Sequence, residues 1–362
     1  MKMSNRLAKN AKNHFIQAFR TGKTVTRTEL KEQNNGKSAN YAVISSQQSM
    51  NKHLSSINQV ATFIQDNYKV RDWKNVDKSM VQAFLNHMQK HGGRDGSGAS
   101  EKTLKGYVTA VNKVMVTAKV WTEADVVSLK SLGVERGKSH VNKVLTSSEW
   151  IRMNHDTYEQ YQAQIDFARA FGLRREEIFG QTAMQKRGKN GVTSNSFYVD
   201  DNNRLYVQTI GKGGKMRVAS CREDMNARML SEYGRYARSV AYCDNDKERF
   251  KQENYRGQKV IAGIDNAIPL HIHRADYARQ RIIEESAKYS ISPNSQKIGY
   301  SRLQARKEGI MRVSYESGQR TAEMVQIGAI TKIKTLEADV RAFMTVSLEL
   351  GHNRLDVLAK YL

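Results

Sequence analysis

From Met50 to Met115 the apolar residues recur at helical spacing, and this constrains the fold more than any other stretch of the chain. Met50, Leu54, Ile57, Ala61 and Ile64 stand at i, i+4, i+7, i+11 and i+14, one stripe of an amphipathic helix. Met80, Val81, Phe84, Leu85 and Met88 mark a second helix, stopped by Gly92 and Gly93. The stretch GGRDGSG reads as a loop, after which Ser100 caps a third helix with Leu104, Tyr107, Val108, Val111, Val114 and Met115 on one face. Thr122 with Asp125 three residues on has the form of a capping box and predicts a short fourth helix through Val126 and Leu129. Two prolines in 362 residues leave long helices uninterrupted. Residues 41–132 are therefore expected to form a compact all-helical domain.

The flanking sequence behaves differently. Residues 1–40 carry nine Lys and Arg against Glu29 and Glu32, with little periodicity. They read as a flexible basic arm with room for a short helix around Ala8–Phe19. Residues 133–145 have no clean period and a basic bias, so they read as a linker. Thr146 and Glu149 form another capping box that opens a second domain over 146–362, with helices through Trp150–Met153 and Ile165–Phe171. The good strand signals lie between Phe197 and Ala219. There Leu205, Val207 and Thr209 alternate with Tyr206, Gln208 and Ile210, ahead of a glycine-rich turn. A small antiparallel meander in a helical domain is the expectation. A length of 362 residues also fits two cores better than one.

Composition excludes several classes. No apolar run approaches the ~20 residues of a membrane span, and no apolar segment follows the basic start in the manner of a secretory signal. Cys221 and Cys243 make no disulfide framework, which suits a reducing, cytoplasmic setting. The formal charge is +23, with 59 Lys and Arg against 36 Asp and Glu. Residues 1–145 hold a net +14 and residues 146–362 a net +9, so the smaller part is the denser cation. Such an excess either serves solubility alone or marks a polyanionic partner, and nucleic acid fits best because phosphate neutralisation releases counterions.

Four local features carry chemistry-bearing residues. In ARAFGLRREEIFG, Arg174 stands just beyond a helix end at Gly172 and ahead of Glu177; alone it is a surface cation. GKGGKMR places Lys212 in a tight hairpin turn and lacks the strand-to-helix context of a nucleotide-binding loop. PLHIHRADYA contains His271 and Arg274 at i and i+3. His271 with His273 also has the look of a metal pair, but no carboxylate or Cys stands beside it at ligand spacing. LELGHNRLDVLAKYL places Tyr361 nine residues after His352, where packing is the bland role for a tyrosine.

Taken in order, Arg174, Lys212, His271-x-x-Arg274, His352 and Tyr361 reproduce a pattern that resembles the tyrosine recombinase/phage integrase family. The likeness covers 146–362 at motif level and extends to the helical N-terminal part in size and composition only. It implies a two-domain, mainly α fold. That fold has an N-terminal all-α SAM-like core-binding domain and a C-terminal α+β tyrosine-recombinase catalytic domain, helices with a small antiparallel sheet. It implies double-stranded DNA as partner, a homo-tetramer on DNA, accessory DNA-bending proteins, and neither cofactor nor metal. Tyr361 would attack the scissile phosphate to give a 3′-phosphotyrosyl intermediate, and Arg174 and Arg274 would hold the non-bridging oxygens. Lys212 would protonate the leaving oxygen, His271 would assist proton transfer, and His352 would bond the phosphate. The chemistry asks for such groups independently. Arginine offers fixed, always-charged, bidentate donors to phosphate oxygens, and a phenol of pKa near ~10 needs cations or a base to become a nucleophile. Glu177 is expected to be structural, orienting the helix end near Arg174.

The sequence departs from the family in three places. Ala275 stands where a second His usually follows the Arg. Eighty residues separate His271 from His352, so about 284–340 is expected to be an insertion. Tyr300 and Tyr315 lie inside it, and neither follows an LGH element. One residue follows Tyr361, where many relatives carry a further helix; either the natural chain continues or the assembly differs. The function implied is site-specific recombination for a mobile element. A type IB topoisomerase-like enzyme and a non-catalytic DNA-binding architectural protein on the same fold are the alternatives.

Overall fold

The structure is a computed structural model, described for residues 5–24, 29, 41–92, 96–134, 145–180, 191–211, 216–239, 247–289, 296–297, 311–316, 319–324, 329–334, 336–352 and 355–362. The chain divides into two compact units, Met1–Asn142 and Lys143–Leu362.

The first unit is built from α1 (Arg6–Thr24), α2 (Gln47–Tyr68), α3 (Lys78–His91) and α4 (Glu101–Thr117). Ser46, Asp77 and Ser100 cap α2, α3 and α4, each accepting a backbone N–H three residues on and so satisfying a donor the helix start leaves unpaired. Gly92 ends α3 as the sequence implied. α1 is the helix for which the sequence left room around Ala8–Phe19, but it is longer, and it is packed rather than part of a flexible arm. Leu7, Ala11, Phe15 and Ala18 form an apolar stripe, all of them buried, and α1 packs on α2 and α4. The Trp73 indole N–H donates to the Leu7 carbonyl at 3.0 Å, tying the helix start to the core. A density of charge had hidden a stripe at helical spacing.

The expected fourth helix after Thr122 is also corrected. Thr122 does give both its backbone N–H and its hydroxyl to Asp125 Oδ2, at 2.9 and 2.7 Å, yet turns rather than a helix follow. The buried Asn112 of α4 explains this. Its amide donates to the Val127 carbonyl at 2.8 Å and accepts the Val127 N–H at 3.0 Å, so that residue's backbone groups are taken by a side chain rather than by a helical ladder. Val127, Leu129, Leu132 and Val134 still join the core.

The second unit is mainly helical with a small antiparallel sheet. Thr146 and Glu149 make the anticipated capping box at the start of α5 (Ser147–Met153). α6 (His155–Gln160), α7 (Gln162–Phe171) and α8 (Arg175–Phe179) follow. Then come β1 (Phe197–Val199), β2 (Leu205–Ile210) and β3 (Met216–Ser220), in the order β1-β2-β3. β2 is central, and both its faces are covered from Leu205 to Thr209. Phe197, Leu205, Val207 and Ala219 face the core, while Tyr198 and Tyr206 stack on the other face with ring centres 4.7 Å apart. α9 (Glu223–Tyr233) and α10 (Lys247–Arg256) lead to α11 (Leu270–Ser286) and, later, α12 (Val340–Glu349), which pack together.

Between α11 and α12, where no strand signal was recognised, the described residues form five short strands. They are β4 (Gln296–Lys297), β5 (Met311–Glu316), β6 (Gln319–Met324), β7 (Ala329–Ile333) and β8 (Leu336–Asp339). β5 and β6 pair as a hairpin, β7 pairs antiparallel with β8, and β4 runs parallel to β7. Tyr315 sits on β5; Tyr300 lies outside the described residues. Among the described residues no helix is long and apolar enough to cross a membrane.

Candidate active site

Two helix ends and one sheet edge build the site. α7 stops at Gly172, whose φ of +58° is left-handed. A Cβ there would lie 2.2 Å from the Tyr277 ring, so only glycine lets α7 and α11 meet this closely. Arg174 follows in extended conformation, immediately before α8. At the other end of the chain α12 finishes at Glu349, and Gly351 (φ +72°) turns the backbone so that the His352 N–H reaches the Ser347 carbonyl at 2.7 Å. This turn is what aims His352 inward.

The arginines satisfy the carbonyls that these helix ends leave over. Arg274, on the second turn of α11 and only 1% exposed, donates to the Gly172 carbonyl and, at 2.5 Å, to the Leu350 carbonyl. Its guanidinium plane is thereby fixed, while its Nε lies 3.3 Å from Tyr361 Oη and its cation 5.5 Å from the Tyr361 ring centre. Tyr361 Oη is also 3.2 Å from His352 Nε2, and Arg174 Nη2 is 3.4 Å from that same nitrogen. Arginine can only donate, so His352 Nε2 is the acceptor and the ring proton sits on Nδ1. The Tyr361 hydroxyl then receives the Arg274 N–H and points its own proton at His352.

Electrostatics support the same protonation state. Burial, followed by the charges of Arg274, Arg174 and Arg217, holds the His352 imidazole down to about 3. Burial and the Arg274 and Arg174 charges also lower His271, an exposed residue whose ring centre is 6.5 Å from that of Tyr361. Burial and Arg217 bring Arg274 down to about 10, still charged at neutral pH.

Beneath these groups lies Glu177, 2% exposed. It accepts the Arg174 backbone N–H at 2.7 Å, Arg174 Nη1 at 2.7 Å, and the guanidinium of Arg217 on β3, with Arg274 Nη1 3.7 Å away. Burial pushes its carboxyl up, but Arg217, Arg274 and Arg174 outweigh this and hold it at about 2. Three guanidiniums thus face one carboxylate. A second buried carboxylate, Glu349, is matched separately by Arg281, by the Ser220 hydroxyl and by Tyr277 at 2.9 Å. Excess buried positive charge beside a tyrosine hydroxyl is costly unless an anion completes it.

Of the six residues read from sequence, Arg174, His271, Arg274, His352 and Tyr361 come together here. Lys212 belongs to the connection between β2 and β3 and lies outside the described residues. Arg217, Glu349 and Tyr277 were missed. Arg217 stands inside the same GKGGKMR segment that drew attention to Lys212, and Glu349 three residues before His352, so both were signposted by position. His273 points elsewhere, its Nδ1 2.9 Å from the Ser147 hydroxyl of α5, so the H-x-H pair is split between two environments. Among the described residues, His155, Asp156 and Glu159 are the one group spaced for a metal, and all three are exposed on α6.

No protein-family model matches the sequence, and no curated protein matches it. Among solved structures the chain is similar to XerH site-specific recombinase bound to palindromic difH substrate in a post-cleavage complex. The identity is 13% and the TM-score 0.45, covering 100% of this chain and 93% of the other. It is likewise similar to that recombinase bound to difH in a pre-cleavage complex, at 12% identity and TM-score 0.44, covering 99% and 91%.

Proposed function

We propose that this chain is a tyrosine recombinase that cleaves and rejoins double-stranded DNA, acting as the integrase of a mobile element. One observation carries the reading: the Tyr361 hydroxyl lies within 3.3 Å of both Arg274 Nε and His352 Nε2, with Arg174 on the same histidine nitrogen. A phosphodiester entering this pocket would take the donors that now serve Tyr361 and supply the missing negative charge. Arg174 and Arg274 would hold its non-bridging oxygens, where charge grows in the transition state. Tyr361 Oη would form the new phosphorus–oxygen bond and give up its proton, with His271 assisting the proton transfer and His352 bonding the phosphate, and the 5′ oxygen would leave with a proton supplied by Lys212. The phosphotyrosyl ester conserves the energy of the broken bond, so the reverse attack by a 5′-hydroxyl reseals DNA without ATP or metal.

Tyr361 lies against Arg274 and His352 of its own chain, which favours cleavage in cis, each protomer of the proposed tetramer cutting with its own tyrosine. Mixing Tyr361→Phe protein with Arg274→Ala protein tests this. Cis action predicts no covalent adduct from the mixture, and recovery of an adduct shows a shared site. Relaxation of any supercoiled plasmid by the wild type, without exchange between two sites, would instead identify a topoisomerase.

A further inference from the structure

Resting on the reading just given, we propose that Arg217 is a positioning residue, the third arginine that holds the phosphate-binding pair and His352 in register. Arg217 makes no hydrogen bond to Tyr361, yet it joins the two halves of the site. One terminal nitrogen donates to Glu177, the carboxylate that grips Arg174 through both its backbone and its guanidinium. The other donates to the carbonyl of Glu349, the last residue of α12, three positions before His352. Side chain and backbone are both rigid here. Arg217 is 2% exposed and pairs with Thr209 in the β2–β3 ladder.

The packing of its stem agrees. A Cβ on Gly351 would come 3.0 Å from Arg217 Cδ and 3.8 Å from Arg174 Nη1, so the turn that aims His352 lies against both arginines. Arg217 Nε is buried with no partner among the described residues, a cost accepted for the two hydrogen bonds made by the terminal nitrogens. A lysine has one ammonium and cannot bridge two acceptors in a fixed fork. Arg217 therefore ties the loop before α8, the turn after α12 and the sheet edge into one unit.

The test compares wild type, Arg217→Met and Arg217→Lys. Thermal melts establish which variants fold. Covalent adduct formation is followed on a random-sequence pool of nicked duplexes, with Tyr361→Phe as the blank. The expected result for Arg217→Met is a maximal adduct rate about 100-fold lower, as a misplaced reacting group produces, with the half-saturating DNA concentration unchanged. Arg217→Lys should recover roughly tenfold of this by keeping one of the two hydrogen bonds. A wild-type maximal rate in folded Arg217→Met overturns the proposal, as does a loss seen wholly in DNA affinity.

A second measurement stands apart from cleavage. Carbon-13 histidine NMR follows the His352 titration, which burial lowers first and Arg274, Arg174 and Arg217 lower further, against Glu177. In folded Arg217→Met the His352 midpoint should rise toward the ordinary imidazole range, whereas Arg217→Lys, which keeps the positive charge, should hold it low. An unchanged midpoint in folded Arg217→Met sinks the proposal. If the wild type forms no adduct while the midpoint moves as expected, the recombinase reading fails and the positioning role stands.

Discussion

Glu177 has three guanidiniums around it and, among the described residues, no other carboxylate to share them with. Changing it to Gln leaves Arg174, Arg217 and Arg274 mutually repelling in a buried pocket, and loss of one partner from such a cluster costs about 3–5 kcal/mol. Urea denaturation of Glu177→Gln should show that loss, whereas a change under ~1 kcal/mol would mean that the arginines find other partners. Gly351 is the second residue on which the site turns. Gly351→Ala meets a left-handed φ of +72° and a contact 3.0 Å from Arg217 Cδ, so about 1–2 kcal/mol of stability should go, together with the aim of His352. The acid response follows from the same groups. Glu177 is held at about 2 from 4.5, and His352 and His273 at about 3 and 4 from 6.5, burial being the first cause for both histidines. All three native values are depressed, so between the two values of each group the unfolded chain binds the proton that the native chain refuses. Stability contributed by these groups is complete above about pH 6.5 and falls continuously as pH drops toward 2. Melting followed by a probe in the second unit checks this, and a flat profile across that range would contradict it.

At the scale of elements, what could be read from the sequence was what the backbone decides locally. The stripes of α2, α3 and α4, their Ser and Asp caps and the Thr146–Glu149 box were legible because each is a short-range pattern. The meander was legible from alternation followed by a glycine-rich turn. The misses have separate physical causes. In α1 the residues Leu7, Ala11, Phe15 and Ala18 are spaced for a helix, but six Lys and Arg between Met1 and Lys23 masked the stripe. After Thr122 a local signal for a helix was overridden by a side chain fifteen residues before Val127, that of Asn112, which no window around Thr122 contains. In β5, Met311, Val313 and Tyr315 alternate with Arg312, Ser314 and Glu316, a strand pattern too polar to stand out. The site itself was legible as an ordered set of residue types, while its support by Arg217 and Glu349 depends on contacts between distant segments. Phe15→Ala tests α1 directly. As a core residue it should cost about 3–5 kcal/mol in denaturant unfolding of the first unit, and a flexible arm would lose almost nothing. Asn112→Ala should leave both backbone groups of Val127 buried and unpaired, speeding hydrogen exchange at that amide.

Over the whole molecule the charge of +23 separates into two kinds of cation. Most of the described Lys and Arg are solvent-facing and, on the proposed function, would give affinity for a phosphate backbone without reading its sequence. Lys102 and Lys105, exposed on α4, exemplify these in the first unit. Replacing both with Ala should weaken DNA binding evenly across sequences and reduce the salt slope by about one for each phosphate no longer neutralised. Arg174 and Arg274 belong to the other kind, fixed around one tyrosine hydroxyl, and Arg174→Ala should abolish cleavage while binding survives. The decisive measurement is covalent trapping of DNA in EDTA, comparing wild type with Tyr361→Phe on the nicked random-sequence pool. Formation of a protein–DNA adduct by the wild type, its linkage mapped to Tyr361 and its absence in Tyr361→Phe, is the predicted result. An adduct that persists in Tyr361→Phe, or cleavage that stops when divalent metal is removed, would contradict the account.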